Sequence, residues 1–376
     1  MKTNIINEKN LILITIDCLR ADHLHCMGYP KGITSTIDAL TKNGIIFTNA
    51  IANAPYTSYS IPSFLTSTMP PIRQMPKVTL ADVLKKNGYT TAAFNPNPIV
   101  FSTIVGGGMI NKGFDTYEIM LSAKKHCRLI LGFIRHTIMR YFRAGFNENG
   151  WLYKTTYSIY DKAIKLLPTI LCPKQHLCIP VAEDINRQAI NWIRKQKSKF
   201  FVWLHYMDAH EPYAPLGYKN QDELLYLITK YSDFPEMLTK QEIEKLIILY
   251  DLEIEYTDKA INSLFKKLQE LDYFDNSIII ISSDHGETFG EHGSLGHGGK
   301  LGKFKEQLYD ESIHVPLIIH GLGKKRVVID RQVQLLDLAP TICKLINIPI
   351  PPNFFGRSLF TSSDKGVIVN SHSYLG

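Results

Sequence analysis

The apolar run Ile279-Ile280-Ile281-Ser282-Ser283 stops abruptly in Asp284, His285, Gly286 and Glu287. A buried strand ending this way delivers its polar groups to the C-terminal edge of a sheet, where open α/β folds place their chemistry. A second run, Leu11 to Ile16, ends in Asp17 and continues Cys18-Leu19-Arg20-Ala21-Asp22-His23. Carboxylate and imidazole groups at strand ends need partners, and a divalent cation satisfies both at once. Asp17, Asp284 and His285 are therefore candidate metal ligands. A third run, Phe200 to Leu204, leads into His205-Tyr206-Met207-Asp208-Ala209-His210-Glu211-Pro212-Tyr213, and a glycine-rich loop, Gly290 to Gly298, carries His292 and His297. Histidines brought to one edge by separate segments make His210 and His297 candidates for a second metal or for oxyanion contacts. Asp208, beside His210, joins them as a candidate substrate contact.

Hydroxyl groups crowd the segment Asn53 to Ser67, at the expected start of a helix. Serine and threonine there have an ordinary use as helix caps. The chemical alternative is an alkoxide that faces a metal, with helix-terminal amides behind it, and attacks an anionic tetrahedral ester. Arg20 has two readings as well: a substrate contact, or an ion pair with Asp22 at the strand end. Lys300, with Lys303 and Lys305, follows the glycine loop and either binds an anionic substrate or is simply solvated.

Short apolar strands alternating with helical patterns position these groups. The runs Leu11 to Ile16, Gly44 to Phe47, Thr90 to Phe94, Phe200 to Leu204, Ser277 to Ile281 and Val315 to Ile319 predict a mostly parallel sheet with helices on both faces. Lys240 to Leu271 reads as a long surface helix with Asp251, Glu253, Glu255 and Asp258 mostly on its solvated face. A further helix is expected over Gln334 to Ile342, ahead of the turn-rich Pro349 to Asn353. From Ile119 to Asn147 the chain carries basic residues among apolar ones and no acid after Glu118 and before Asn147. The stretch 124–143 is thus a basic amphipathic helix that packs on the sheet or else contacts a membrane surface or closes over substrate.

A chain of 376 residues buries a large core, and its formal charge of +7 favours anionic partners. Basic and aromatic residues do not interleave as in a nucleic-acid module, so no nucleic-acid partner is expected. Met1 to Asn10 is polar and the apolar run behind it is short, so neither a signal peptide nor a membrane span is expected and a cytoplasmic protein is. The scattered cysteines, Cys18, Cys26, Cys127, Cys172, Cys178 and Cys343, fit reduced thiols. Cys172 and Cys178 flank His176 without the remaining ligands of a zinc site nearby.

At these residues the chain resembles the sulfatase family of the alkaline phosphatase superfamily. The likeness runs in order through Asp17 to His23, Gly28-Tyr29, Ile37 to Leu40, Gly44 to Phe47, Pro62 to Ser67, Met207 to Tyr213, Ser283 to Glu287, His297-Gly298, His314 to Leu317, Asp337 to Thr341 and Gly356 to Leu359. It implies an alkaline phosphatase-like α/β/α sandwich around a mostly parallel sheet. It also implies a sulfatase-like catalytic domain over 1–345, with the basic helical insertion at about 119–180, and the start of a short or truncated C-terminal subdomain at 346–376. A divalent metal held by Asp17, Asp284 and His285, with the nucleophile on it, is a further implication. The family's sulfatase signature is Cys or Ser, any residue, Pro, any residue, Arg, with the first residue oxidised to formylglycine. This chain departs from it. Spacing from Leu65-Thr66-Ser67 sets Thr57 at the nucleophile position and Ile61 at the arginine. A threonine is a secondary alcohol and cannot give that aldehyde, so the resemblance points to direct use of Thr57 on phosphate monoesters, phosphate diesters or sulfate esters, by hydrolysis or transfer. The rival register puts Ser60 on the signature, as a formylglycine-type sulfuric ester hydrolase with Phe64 in place of arginine. A third reading is a catalytically degenerate member that binds an anionic glycan or lipid. Cys18 stands where many members have another metal-binding aspartate, which leaves it as a packed thiol or a ligand for a soft ion. Manganese or zinc is favoured over calcium or magnesium by the imidazoles, with one or two ions open. The expected substrate is an anionic ester on a glycan, a lipid head group or a small molecule.

Overall fold

The computed structural model describes residues 8–70, 78–97, 110–120, 181–233, 235–297, 308–323, 325–361, 367 and 369. The basic stretch 124–143, Cys127, Cys172, His176, Cys178, Lys300, Lys303 and Lys305 lie outside the described residues. All six strands expected from apolar runs form: β1 (Asn10–Ile16), β2 (Gly44–Ile51), β3 (Thr90–Asn95), β5 (Phe200–Tyr206), β6 (Ser277–Ser282) and β7 (His314–His320). Three short strands join them, β4 (Thr116–Ile119), β8 (Val327–Ile329) and β9 (Val333–Gln334), too brief to carry a readable pattern.

Together these make one sheet in the order β4-β3-β5-β1-β6-β7-β2-β8, with β9 also paired to β2. Every pairing is parallel except those of β7 with β6 and with β2, so β7 alone runs against the rest. The central strand β1 is buried along its whole length, as are its neighbours β5 and β6. Burial on both faces is why these strands read as continuous apolar runs instead of alternating ones.

One face of the sheet carries Leu11, Leu13, Phe201, Trp203, Ile278 and Ile280, in one core with Ile61, Phe64 and Leu65 of helix α2 (Thr57–Thr66). Helix α3 (Leu80–Lys86) adds Leu80 and Leu84 to that core. The Thr79 hydroxyl accepts from Asp82 N at 3.0 Å and Asp82 accepts from Thr79 N at 3.0 Å, a reciprocal cap that starts α3. On the other face, Tyr206 donates from its hydroxyl to Asn186 of helix α4 (Ala182–Ile193), and Asn186 in turn donates to the Ala260 carbonyl. Fully burying each Ile or Leu side chain contributes about 1.5–3 kcal/mol, so the layered core dominates stability.

The described residues group into two compact units, one drawn from the segments up to 120, 181–210 and from 254 onward, the other from 211–253. In the second, Tyr213 packs against Tyr231 and Tyr250, and Lys230 of helix α5 (Gln221–Asp233) pairs with Glu242 at 2.9 Å. No helix among the described residues is long and apolar enough to cross a membrane.

Two expectations need correction. The long helix α6 (Lys240–Glu270) forms, but Asp251, Glu253 and Asp258 are buried on it. Asp258 accepts from Thr36 N and Ile37 N, both at 2.9 Å, at the start of helix α1 (Ser35–Thr41), and Glu253 accepts from Ala214 N at 2.9 Å. Asp258 and Glu253 serve as helix and turn anchors, because orphan amides at such places need an acceptor. The helix expected from Gln334 begins one residue later, as a 3-10 turn (Leu335–Asp337) that runs into α7 (Leu338–Leu345), since Val333–Gln334 is drawn into the sheet beside β2.

Candidate active site

Register brings the acidic strand ends together. Thr15 pairs with Ser282 on one side and with His205 on the other, so Asp17 leaves β1 level with the ends of β5 and β6. The backbone fastens this edge: Asp17 N donates to Tyr206 O at 2.8 Å. Ser283 adds a side-chain tie: its Oγ lies 2.6 Å from both the Ile16 and the His285 carbonyl, its one proton goes to one of them, and it accepts from Leu19 N at 2.9 Å. A single hydroxyl thereby holds the β1 and β6 ends in one relation.

Asp17, Asp284 and His285 are fully buried, and one ligand atom from each lies within 4.8 Å of the others. His285 Nδ1 lies 2.8 Å from the Gly286 carbonyl, which can only accept, so Nδ1 carries the proton and Nε2 presents a lone pair. That lone pair faces Thr57 Oγ1 at 3.0 Å, with Asp17 Oδ1 at 3.5 Å and Asp284 Oδ2 at 3.6 Å. Asp284 Oδ2 is buried without a hydrogen-bond partner. Burial and the charge of Asp17 both push the Asp284 carboxyl up. Asp17 goes the other way. Burial acts to raise it, but His210, hydrogen-bonded His205 and His285 hold it well below the usual range. An orphaned carboxylate oxygen beside a second carboxylate and a bare imidazole nitrogen is a donor set that fits a divalent cation.

Thr57 is the first residue of α2, and the cap position belongs to Tyr56, whose side chain makes no capping bond. The Thr57 hydroxyl is directed instead to His285 and, at 3.5 Å, to Asp17 Oδ2. Ser60 lies one turn on, and its hydroxyl donates to the Asp284 carbonyl at 2.5 Å.

His210 and His297 join the same cluster, with ring centroids 4.8 Å apart and His297 at 4.6 Å from His285. Their electrostatics differ. Burial pushes His210 down to about 3, against the pull of Asp17. His297 would also be lowered by burial, but Glu287, accepting from Nδ1 at 3.0 Å, pushes it up to about 9. The pair supplies one neutral and one protonated imidazole near neutral pH.

Arg20 makes the ion pair expected with Asp22. Its guanidinium is bidentate on Asp22 at 2.9 and 2.7 Å and also bonds Glu291 at 2.8 Å and the Glu287 carbonyl at 3.1 Å. Asp208 faces helix α4, where Oδ1 accepts from Ala182 N at 3.2 Å. Burial pushes its carboxyl up to about 7.

Three residues of the cluster were not among the candidate site residues. His205 is fully buried in β5, with Nε2 3.1 Å from Asp17 Oδ2. Asn97 donates to the same oxygen at 3.0 Å. Glu287 is buried beneath His297. Only the glutamate follows directly on the Asp284-His285-Gly286 motif, where a buried acid two residues beyond a histidine was a signal available to be read. Cys18 is drawn in as well: its Sγ is 3.2 Å from Asp17 Oδ1 and 3.5 Å from His297 Nδ1. Cys18, Cys26 and Cys343 are free thiols.

Comparison with known proteins bears on this geometry. A family model described as Sulfatase matches residues 9–348. The chain is 28% identical to human arylsulfatase K over 214 residues, covering 47% of this chain and 38% of the relative. It is 24% identical over 382 residues to the ulvan-active sulfatase of Formosa agariphila, covering 94% of this chain and 64% of the relative. The chain thus spans less than two thirds of the length of either curated relative. Among solved structures, the phosphonate monoester hydrolase of Agrobacterium radiobacter superposes with a TM-score of 0.65 at 18% identity, over 93% of this chain and 76% of that one.

Proposed function

The chain belongs to the sulfatase family, and from that premise we propose that it cleaves phosphate esters, by hydrolysis or transfer, with Thr57 as the nucleophile. The observation that carries this reading is the Thr57 hydroxyl, 3.0 Å from His285 Nε2 within the Asp17, Asp284 and His285 cluster. Ser60 does not share that position, since its hydroxyl is committed to a backbone carbonyl. That speaks against a formylglycine made from Ser60.

Asp17, Asp284 and His285 would hold the divalent metal. When bound, such a cation acidifies a neighbouring hydroxyl and neutralises ester oxygens. The remaining steps belong to the chain. Thr57 Oγ1 gives up its proton to solvent and supplies the attacking oxygen, a covalent threonyl ester forms as the alcohol leaves, and water or an acceptor alcohol then releases the transferred group. The leaving alkoxide takes its proton from His297, which Glu287 keeps protonated. The first turn of α2 presents amides at Thr57 and Ser58, a setting that favours an anionic group. His205 and Asn97 both bond Asp17 Oδ2 and hold that carboxylate in place.

The substrate class is an anionic ester of a small molecule, glycan or lipid head group. Phosphate is preferred to sulfate because an unmodified threonine lacks the aldehyde hydrate of the formylglycine enzymes. A panel of aryl sulfate, phosphate monoester and phosphate diester, run on wild type and Thr57→Ala with intact-mass analysis, tests this. Turnover lost in Thr57→Ala, from a wild type of unmodified mass, supports the reading. Turnover unchanged in the variant refutes it.

A further inference from the structure

Cys18 is the residue of this cluster that the proposed reaction does not use. It follows Asp17 directly and adopts a left-handed backbone, with φ of 63°. A residue with a Cβ is held in that region at a cost of about 1–3 kcal/mol, and such positions cluster where geometry serves function. The conformation turns the side chain back into the site. Sγ lies 3.2 Å from Asp17 Oδ1, and Asp17, Cys18 and His210 each offer a ligand atom within 4.8 Å of the other two. A second grouping, Cys18, His285 and His297, meets the same distance.

Spacing and ligand chemistry agree. Zinc bonds of about 2.0–2.3 Å to oxygen, nitrogen and sulfur, at tetrahedral angles, separate the ligand atoms by roughly 3.3–3.5 Å. The sulfur is already 3.2 Å from the Asp17 carboxylate oxygen, one of the ligand atoms it would share a cation with. A thiol placed merely to fill space has no reason to sit among two carboxylates and three imidazoles. The unpartnered, buried Asp284 Oδ2 in the adjoining group independently points to cation binding at this edge of the sheet.

We propose that Cys18 is a thiolate metal ligand which, with Asp17 and His210, makes a soft-ligand site selective for zinc over calcium or magnesium. This rests on the assignment of Asp17 as a metal ligand. On binding, the thiol proton is released to solvent and the sulfur–metal bond forms, with no change of oxidation state. Soft thiolate and imidazole donors select zinc, whereas an aspartate at this position would suit hard, oxygen-seeking cations.

Cobalt(II) substitution of the whole protein under anaerobic conditions provides the test. Wild type is expected to show visible ligand-field bands together with a near-ultraviolet thiolate-to-cobalt charge-transfer band. Cys18→Ser should lose the charge-transfer band and keep ligand-field absorption from the Asp17, Asp284 and His285 group. Cys18→Asp, which restores a carboxylate, should bind zinc at least about tenfold more weakly than wild type and gain calcium affinity. Thermal unfolding of both variants separates ligand loss from misfolding. Ligand-field bands in wild type without charge transfer overturn this inference and leave the Thr57 reading intact. Absence of all cobalt bands overturns the metal assignment itself.

Discussion

Thr15 Oγ1 lies 2.8 Å from His205 Nδ1 and decides which nitrogen of that ring faces Asp17. Trp203 Nε1 donates to the same hydroxyl at 2.9 Å, so the threonine proton is free to go to Nδ1 and Nε2–H is left to donate to Asp17 Oδ2 at 3.1 Å. His205 thus supports, through a protonated Nε2, the carboxylate proposed to hold the metal. Thr15→Val keeps the shape and removes the relay. It is expected to destabilise the fold by about 1–3 kcal/mol through unsatisfied buried groups and to weaken metal binding by roughly 10–100-fold. Denaturant unfolding and metal titration measure the two effects separately.

Gly286 explains why a glycine follows Asp284 and His285. A Cβ there would collide with the Glu311 carbonyl oxygen, and Gly286 N donates to Ser312 O at 2.8 Å. Gly286→Ala must push the backbone away and drag His285 with it. The expected result is weaker metal binding than in wild type, with loss of stability of about 1–3 kcal/mol from the clash. Isothermal metal titration of the folded variant checks it, and wild-type affinity in Gly286→Ala contradicts it.

Arg20 tests a different distinction, between architecture and substrate binding. Its buried guanidinium joins Asp22, Glu291 and the Glu287 carbonyl. Arg20→Met should lower stability by about 2 kcal/mol, because hydrogen bonds to charged groups are lost, while KM for an active ester stays unchanged. A large rise in KM without destabilisation would return Arg20 to the substrate.

Asp208 gives a pH signature. Its carboxyl is pushed up by burial to about 7 from an ordinary value near 3.8. A raised carboxyl favours the protonated native state, so this contribution is fully present below about 3.8 and is lost as pH rises through about 7. Asp208→Asn keeps an acceptor for Ala182 N and cannot ionise. The stability of the variant relative to wild type should therefore climb between those two pH values. Chemical unfolding at a series of pH values shows the slope, and parallel curves would contradict it.

The legible parts of this molecule were those with a local signature. Apolar runs such as Leu11 to Ile16 announced the strands, and their abrupt acidic ends announced Asp17 and Asp284. What escaped were relations between distant segments. The reversed direction of β7 leaves no mark in His314 to His320, because an apolar run has no polarity. His205 stands in the strand-end motif with no role of its own, and its partner Thr15 lies 190 residues away. Asp251 and Asp258 read as solvated because acids on a helix usually face solvent, yet both are buried. Their seven-residue spacing, which puts both on the face of buried Ile254 and Ile261, was the available cue.

The hydroxyl of Thr57 is the centre of the account. The most direct measurement is a rapid acid quench of wild type with a turned-over phosphate ester, followed by intact-mass and peptide analysis. The account predicts a phosphoryl adduct on Thr57 that is absent, along with turnover, in Thr57→Ala. An adduct on Ser60, or an aldehyde at either position in active protein, would contradict it.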